Sequence, residues 1–142
     1  MDLIDVGPED PRLPEVFAVL VQLRTHLDER EFRAIYRSGY DEGLRFLAAC
    51  DDGRCVAVAG WRIVNGTSTI RKLYIDDLVT DEAFRSSGCG HVLLEELERR
   101  AVDAGCTSIE LDSGVQRFDA HRFYLRERMD IVAHHFAKSL TR

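Results

Sequence analysis

A short stretch rich in small residues, Arg85-Ser-Ser-Gly-Cys-Gly90, has the composition of an anion-binding loop. It stands directly before a segment with helical apolar spacing, and small side chains let backbone N–H groups come close to a ligand. The start of a helix adds N–H donors and the positive end of the helix dipole, which suit a phosphate group. Arg85 adds a positive charge and a fork of donors. A glycine-rich turn with an ordinary helix cap would have the same composition, so the loop alone does not decide the function.

The elements that must position this loop are a strand before it and a helix after it. Residues Ile70–Thr80 are rich in β-branched and aromatic side chains and predict the strand. The helix is predicted from Leu93, Leu97 and Ala101, which recur on one face. Thr107–Asp112 alternates apolar and acidic side chains and predicts another strand. Because a helix connects the two strands, we expect them to be parallel.

The N-terminal third predicts one strand and two helices. Leu3–Val6 forms the strand, and Pro14 suits the first turn of the first helix. Asp28 and Glu31 have the spacing of a capping box, which predicts that a second helix begins there. Gly39 is the expected end of that second helix.

The rest of the chain predicts a hairpin, a further helix and a last strand. The hairpin joins Leu44–Cys50 to Cys55–Val64 through the turn Asp52-Gly53. A helix over Ala120–Arg126 and a strand over Asp130–Ala137 follow. The expected architecture is one α/β domain over residues 1–142, with a mixed, mostly antiparallel sheet and flanking helices.

The segment Leu78–Gly90 resembles the acetyl-coenzyme A segment of the GNAT (general N-acetyltransferase) superfamily. That family's signature is Arg or Gln, two residues, Gly, one residue, then Gly or Ala, and Arg85, Gly88 and Gly90 stand at the three fixed positions. The resemblance implies the GNAT fold and acetyl-CoA as cosubstrate. No metal is expected, because the four cysteines have no C-x-x-C spacing. The resemblance also implies the residues that bind the cofactor, the first three along the pantetheine arm and the others around the pyrophosphate: Leu78, Val79, Thr80, Arg85, Ser86, Ser87, Gly88, Cys89, Gly90 and His91.

A second stretch, Ala120 to Met129, is similar to a later GNAT motif in which Ala and Tyr precede a Gly-Phe pair. Ala120 and Tyr124 match, whereas Arg128 and Met129 replace the pair. The resemblance implies that Tyr124 is the general acid for the departing thiolate, since a phenol is protonated at neutral pH.

The general base is predicted less sharply. Some relatives carry a glutamate twelve residues before the tyrosine, and Asp112 holds that position here. Asp76 and Asp77 are alternatives on the preceding strand, and water is another. The donor to the oxyanion is expected to be the backbone N–H of Val79 or its neighbour.

Composition limits the partners. The formal net charge is −6 and the sequence pI is about 5.3, which argues against nucleic acid and is compatible with a cationic amine. The N-terminal sequence has no signal-peptide pattern, and no apolar run approaches a membrane span, so we expect a cytoplasmic protein. The last strand is expected to be available for pairing with a second copy in a homodimer.

Three questions stay open at this point. A GNAT fold that binds coenzyme A without catalysis would share this loop, and so would another phosphate-binding α/β protein. The glycines of the loop fit neither a Walker A nor a Rossmann motif. The acceptor is an amino acid, a polyamine, an aminoglycoside or a protein amine. Cys50 and Cys55 flank a turn, and whether they pair is open. Separately, a bound cofactor is expected to shield Cys89, in the loop, from alkylation.

Overall fold

A computed structural model describes residues 1–141 of the 142-residue chain and divides it into two compact units, residues 1–111 and the residues after position 111. The elements of the first unit are β1 (Asp2–Val6), α1 (Leu13–Leu20), α2 (Glu29–Asp41), β2 (Arg45–Asp51), β3 (Arg54–Gly66), β4 (Ile70–Thr80), a 3-10 turn (Glu82–Phe84), α3 (Cys89–Asp103) and β5 (Ser108–Leu111). The second unit contains α4 (Phe118–Arg126).

The five strands form one sheet in the order of the sequence, β1-β2-β3-β4-β5. The first three pairings are antiparallel, and β4 and β5 are parallel. The predicted mixed, mostly antiparallel sheet with flanking helices is therefore confirmed. The parallel pair follows from α3, which carries the chain back to the starting edge of β4.

The hairpin between β2 and β3 turns at Asp52 and Gly53, with φ angles of 52° and 79°. Two successive left-handed residues are the signature of a type I′ turn, whose twist matches that of the flanking strands. Cys50 and Cys55 are cross-strand neighbours next to this turn, and both are buried free thiols.

The predicted helix starts are confirmed, and one predicted end is wrong. Pro14 lies in the first turn of α1, and Asp28 and Glu31 form the reciprocal capping box of α2. Gly39 does not end α2 but lies inside it, against the side chain of Leu44. The helix ends two residues later, and the left-handed residue that follows it is Gly43, with φ of 97°.

The core lies between the sheet and its helices. An aromatic cluster of Phe32 and Tyr36 on α2 packs on Phe46 of β2, with ring centroids 4.9 to 6.0 Å apart. The Tyr36 hydroxyl donates to the carbonyl of Val6 and accepts from the Phe46 N–H, so the only polar atom of the cluster is satisfied. On α3 the predicted face is buried, which confirms its orientation toward the sheet.

The predicted last strand is wrong. Residues 129–141 form no helix or strand, and their side chains are largely exposed. A strand needs a neighbour for its backbone groups, and within the described residues none is paired with this segment. Across the whole of residues 1–141, no helix is long and apolar enough to cross a membrane.

Candidate functional site

The second half of β4 has a neighbour on one side only. β4 pairs with β3 along its whole length, but with β5 only over residues 72–75. Leu78, Val79 and Thr80 therefore pair with Ala59, Val58 and Ala57 of β3, and no described strand pairs with their opposite edge. An extended ligand can add to such an edge as a further strand.

A β-bulge marks the point where β4 and β5 part. The register shifts between Gly60 and Trp61 of β3, which face Asp77 and Ile75, so Asp76 has no cross-strand partner. The Asp76 carboxylate instead accepts two hydrogen bonds from the Arg62 guanidinium, at 2.9 and 3.2 Å. Bulges re-aim side chains, and this one places two consecutive carboxylates beside the open edge.

Asp77 is the more buried of these two carboxylates. Its Oδ1 accepts a hydrogen bond from Arg24 Nε at 2.6 Å, and its side chain is 13% exposed. A Cβ on Gly60 would lie 2.9 Å from Asp77 Oδ2, so glycine leaves the space that the carboxylate fills. Burial raises the pKa of Asp77, although Arg24 opposes the shift.

A hydrogen-bonded turn leads from β4 toward α3. Asp81 caps the 3-10 turn by accepting from the Ala83 N–H, and it also accepts from the Gln22 amide. The hydrogen bond from the Ala83 N–H is the main cause that lowers the pKa of Asp81. The hydrogen bond from Gln22 and the charge of Arg54 lower it further. Gln22 in turn accepts from the Glu82 N–H at 3.0 Å. The segment after α1 therefore holds the turn in place.

The loop predicted to bind an anion opens directly into α3. Gly88 is the N-cap residue with φ of 87°, and Ser86 is also left-handed with φ of 65°. Gly88 has no side chain that could cap this helix start, and no side-chain cap is present among the described residues. Arg85, three residues before Gly88, is exposed. This is the geometry of an anion site.

Cys89 differs from the sequence-based expectation. Its side chain is 1% exposed and lies 3.1 Å from the Ser87 hydroxyl. A bound cofactor is therefore not needed to shield this thiol, and the expectation of cofactor-dependent shielding is wrong.

The side chain of His91 is exposed, with Nε2 3.4 Å from a carboxylate oxygen of Glu95.

Tyr124 lies on α4 in the second unit. Its side chain is half-buried, and burial raises the pKa of the phenol, which keeps the hydroxyl protonated at neutral pH. The Tyr124 carbonyl accepts from the Met129 N–H at 3.0 Å, and Arg128 before it has a φ of 67°. Arg128 thus adopts the left-handed conformation for which glycine is the ordinary choice.

Asp112 also belongs to the second unit. Its side chain is 51% exposed, and Oδ2 lies 3.7 Å from Nδ1 of His135. The Asp112 side chain is therefore more exposed than that of Asp77. Each unit thus carries part of the predicted site: Asp76, Asp77 and the cofactor-binding residues are in the first, and Asp112 and Tyr124 are in the second.

Sequence reasoning did not find the partners of the β4 carboxylates. Arg24 reaches Asp77 from 53 positions earlier in the chain, which no local pattern signals. Arg62 reaches Asp76 from the neighbouring strand β3, where the bulge sets the register. Beside Arg62 lies a depression of about 400 Å³, lined by Ala34, Ile35, Ser38, Gly39, Glu42 and Leu44. Among the described residues no group of three or more His, Cys, Asp or Glu side chains is placed to hold a metal ion.

Comparison with known proteins assigns the family. The profile of the Acetyltransferase (GNAT) family matches residues 13–129. The chain belongs to the GNAT acetyltransferase family. An N-acetyltransferase of Bacillus subtilis named YhdJ is 33% identical over 78% of this chain and 78% of its own. A Salmonella typhimurium aminoalkylphosphonate N-acetyltransferase is 29% identical over 88% of this chain and 83% of its own.

Solved structures of other acetyltransferases share the GNAT fold. The aminoglycoside N-acetyltransferase AAC(6')-Iy, solved in complex with CoA, superimposes with a TM-score of 0.85 at 16% identity, covering 99% of this chain and 95% of its own. An acetyltransferase of Trypanosoma brucei superimposes with a TM-score of 0.80 at 22% identity, covering 98% and 99%. At these identities the likeness establishes the fold of this GNAT chain.

Proposed function

We propose that this GNAT protein transfers the acetyl group of acetyl-CoA to a primary amine. The observation that carries the proposal is the left-handed Gly88 at the uncapped start of α3, beside the open edge of β4. The N-terminus of α3 suits the pyrophosphate, and the backbone of Leu78, Val79 and Thr80 suits an extended pantetheine arm. The same donors, from Arg85 to His91, are those the family resemblance indicates.

The chemistry is direct attack of the amine on the thioester. The amine nitrogen forms a bond to the acetyl carbon, and the carbon–sulfur bond breaks when the tetrahedral intermediate collapses. The Val79 N–H, or that of its neighbour, would stabilise the oxyanion. Tyr124 would donate its proton to the departing thiolate, a role that its raised pKa supports because the phenol stays protonated.

Three carboxylates, or water, could accept the proton of the attacking ammonium. The family resemblance favours Asp112, whose half-exposed side chain could accept the proton directly or through water. Burial favours Asp77, because its raised pKa makes it a stronger base than an ordinary aspartate. Asp76, which accepts two hydrogen bonds from Arg62, is the third alternative.

We propose a small-molecule amine as the acceptor. The chain is acidic overall, with a formal net charge of −6, which is compatible with a cationic substrate. The names of two relatives, aminoglycoside and aminoalkylphosphonate N-acetyltransferases, specify small amines. A cytoplasmic location and a homodimer remain predictions.

One experiment separates this proposal from its alternatives. Thermal denaturation is measured with acetyl-CoA, coenzyme A and ATP, and an amine panel is then assayed for release of free thiol. We expect acetyl-CoA to raise the Tm by mass action and at least one amine to be acetylated. Stabilisation without turnover on any amine would indicate a coenzyme A-binding module. Stabilisation by ATP alone would indicate a nucleotide-binding protein.

A further inference from the structure

The carboxamide of Gln22 is bonded at both of its ends to the turn that follows β4. Its Nε2 donates to Asp81 Oδ2 at 3.2 Å, and its Oε1 accepts from the Glu82 N–H at 3.0 Å. Because a carboxylate accepts and a backbone N–H donates, the two partners fix which end of the carboxamide is oxygen. The position therefore calls for a side chain that donates and accepts at the same time.

This turn connects the open edge of β4 to the start of α3. The connection is tied to β3 at its first residue, where the Asp81 N–H donates to the Val56 carbonyl at 2.8 Å. The two hydrogen bonds of Gln22 come directly after that point, on the Asp81 side chain and on the Glu82 N–H. They therefore help to set the direction in which the chain leaves the edge for α3.

The same segment after α1 also holds the other end of the open edge. Arg24, two residues after Gln22, donates to Asp77 Oδ1 at 2.6 Å and to the Asp76 carbonyl at 2.9 Å. Between these two attachments lie residues 78–80, whose outer side pairs with no described strand. The segment thus fixes the free stretch of β4 at both of its ends.

We propose that Gln22 is a positioning residue for coenzyme A, which sets the open edge of β4 and the start of α3 at the spacing that one cofactor molecule spans. The inference rests on the proposed function, because it needs the pantetheine arm at the edge and the pyrophosphate at the helix start. The two groups belong to one covalent molecule, so both sites contribute to its affinity only when their spacing matches the ligand. Gln22 is assigned to neither group and acts through the turn.

Reversing the roles of the amide and the carboxylate tests the proposal. Gln22→Glu removes the donor and places a second carboxylate against Asp81, so like charges face each other. We expect the Kd for coenzyme A, measured by isothermal titration calorimetry, to rise about 5- to 30-fold, the worth of one to two hydrogen bonds. Adding Asp81→Asn supplies an amide donor for the new carboxylate, and its oxygen can still accept from the Ala83 N–H. The double variant should recover most of the affinity.

Thr25→Glu is the matched control, because it adds the same charge to an exposed residue of the same segment. Its Kd should stay within about twofold of the native value. An unchanged Kd in Gln22→Glu, an equal loss in the control, or a double variant that binds no more tightly than Gln22→Glu would overturn this inference alone. If the native protein does not bind coenzyme A, the proposed function fails and the inference falls with it.

Amide exchange in the unliganded protein gives a readout that a general loss of stability would not reproduce. Gln22→Met keeps the length of the side chain and removes both of its hydrogen bonds. The Glu82 N–H should then exchange faster by NMR, whereas the Asp81 N–H, which donates to the Val56 carbonyl, should keep its native rate. Equal acceleration at both amides, or at neither, would show that Gln22 does not hold the turn and would contradict the proposal.

Discussion

Arg24 donates a hydrogen bond from Nε to Oδ1 of Asp77 at 2.6 Å, and its Nη2 donates to the Asp76 carbonyl at 2.9 Å. These contacts fasten the segment between α1 and α2 to the bulge of β4. They also give the most buried carboxylate of the open edge its partner. The position of that segment and the proton affinity of Asp77 are therefore coupled through one side chain.

Replacing Arg24 should destabilise the protein. In Arg24→Gln the buried Asp77 carboxylate loses its cation, and we expect the free energy of unfolding at neutral pH to fall by about 1 to 3 kcal/mol, since Arg24 is partly exposed. Chemical denaturation monitored by circular dichroism measures the loss. Arg37→Gln is the matched control, because the Arg37–Glu9 pair is largely exposed and should matter by less than about 0.5 kcal/mol.

The effect of Arg24→Gln should depend on pH. Burial raises the pKa of Asp77 in the folded state, so its protonation stabilises the fold at low pH, and this contribution is lost as pH rises through the folded pKa. Removing the arginine should raise that pKa further. The difference in stability between native and variant should therefore shrink as the pH is lowered. A pH-independent difference would show that Arg24 acts through packing alone.

Gly88→Glu should abolish the Tm increase that acetyl-CoA causes. The carboxylate would stand at the start of α3, where we place the pyrophosphate, and would repel it. Gly105→Glu is the matched control, because Gly105 is also left-handed, with φ of 76°, and has open space around it. Both variants should lose about 1 kcal/mol through backbone strain. If the two retain equal cofactor shifts, the loop does not hold the anion.

Tyr124→Phe should lower kcat by about 100- to 10,000-fold, the ordinary contribution of a general acid. The change removes one hydroxyl and little volume, so the affinity for acetyl-CoA should stay nearly the same. Tyr40→Phe on α2 is the control for loss of a phenol outside the proposed site. Full turnover of the Tyr124 variant with the best amine would assign the proton donor to another group.

Asp112→Asn and Asp77→Asn should identify the general base. Loss of the base lowers kcat/KM most at low pH, and the loss should shrink at high pH where the amine deprotonates unaided. If Asp77 is the base, the native rate should fall on acidification through a pKa above the ordinary aspartate value, since burial raises it. This fall in rate on acidification should then be absent from the pH profile of Asp77→Asn and present in that of Asp112→Asn. Wild-type rates in both variants would exclude both carboxylates.

Cysteine labelling tests the packing around the loop. In the native protein iodoacetamide should modify Cys106, which is half-buried, ahead of the three buried thiols Cys50, Cys55 and Cys89. Burial also raises the pKa of Cys55 to about 12, which suppresses its thiolate. Mass spectrometry with and without acetyl-CoA measures the extents, and guanidinium-unfolded protein should label at all four. Rapid native labelling of Cys89 would contradict its burial.

Local patterns in the sequence predicted most of the elements. The Asp52-Gly53 turn, the capping box of Asp28 and Glu31 and the bounds of β4 depend on residues close together in the chain, so their signals are readable without the fold. The small-residue loop before α3 is local for the same reason. Its likeness to the GNAT signature indicated the family that the comparisons established.

The tertiary structure decided what depends on distant partners. No spacing in the sequence pairs Arg24 with Asp77 or shows that Gly60 leaves room for that carboxylate, because these contacts form only when β3, β4 and the segment after α1 meet. The segment from Asp130 to Ala137 has the composition of a strand, yet a strand exists only where another strand satisfies its backbone groups. Composition sets the tendency of a segment, and the availability of a partner sets the outcome.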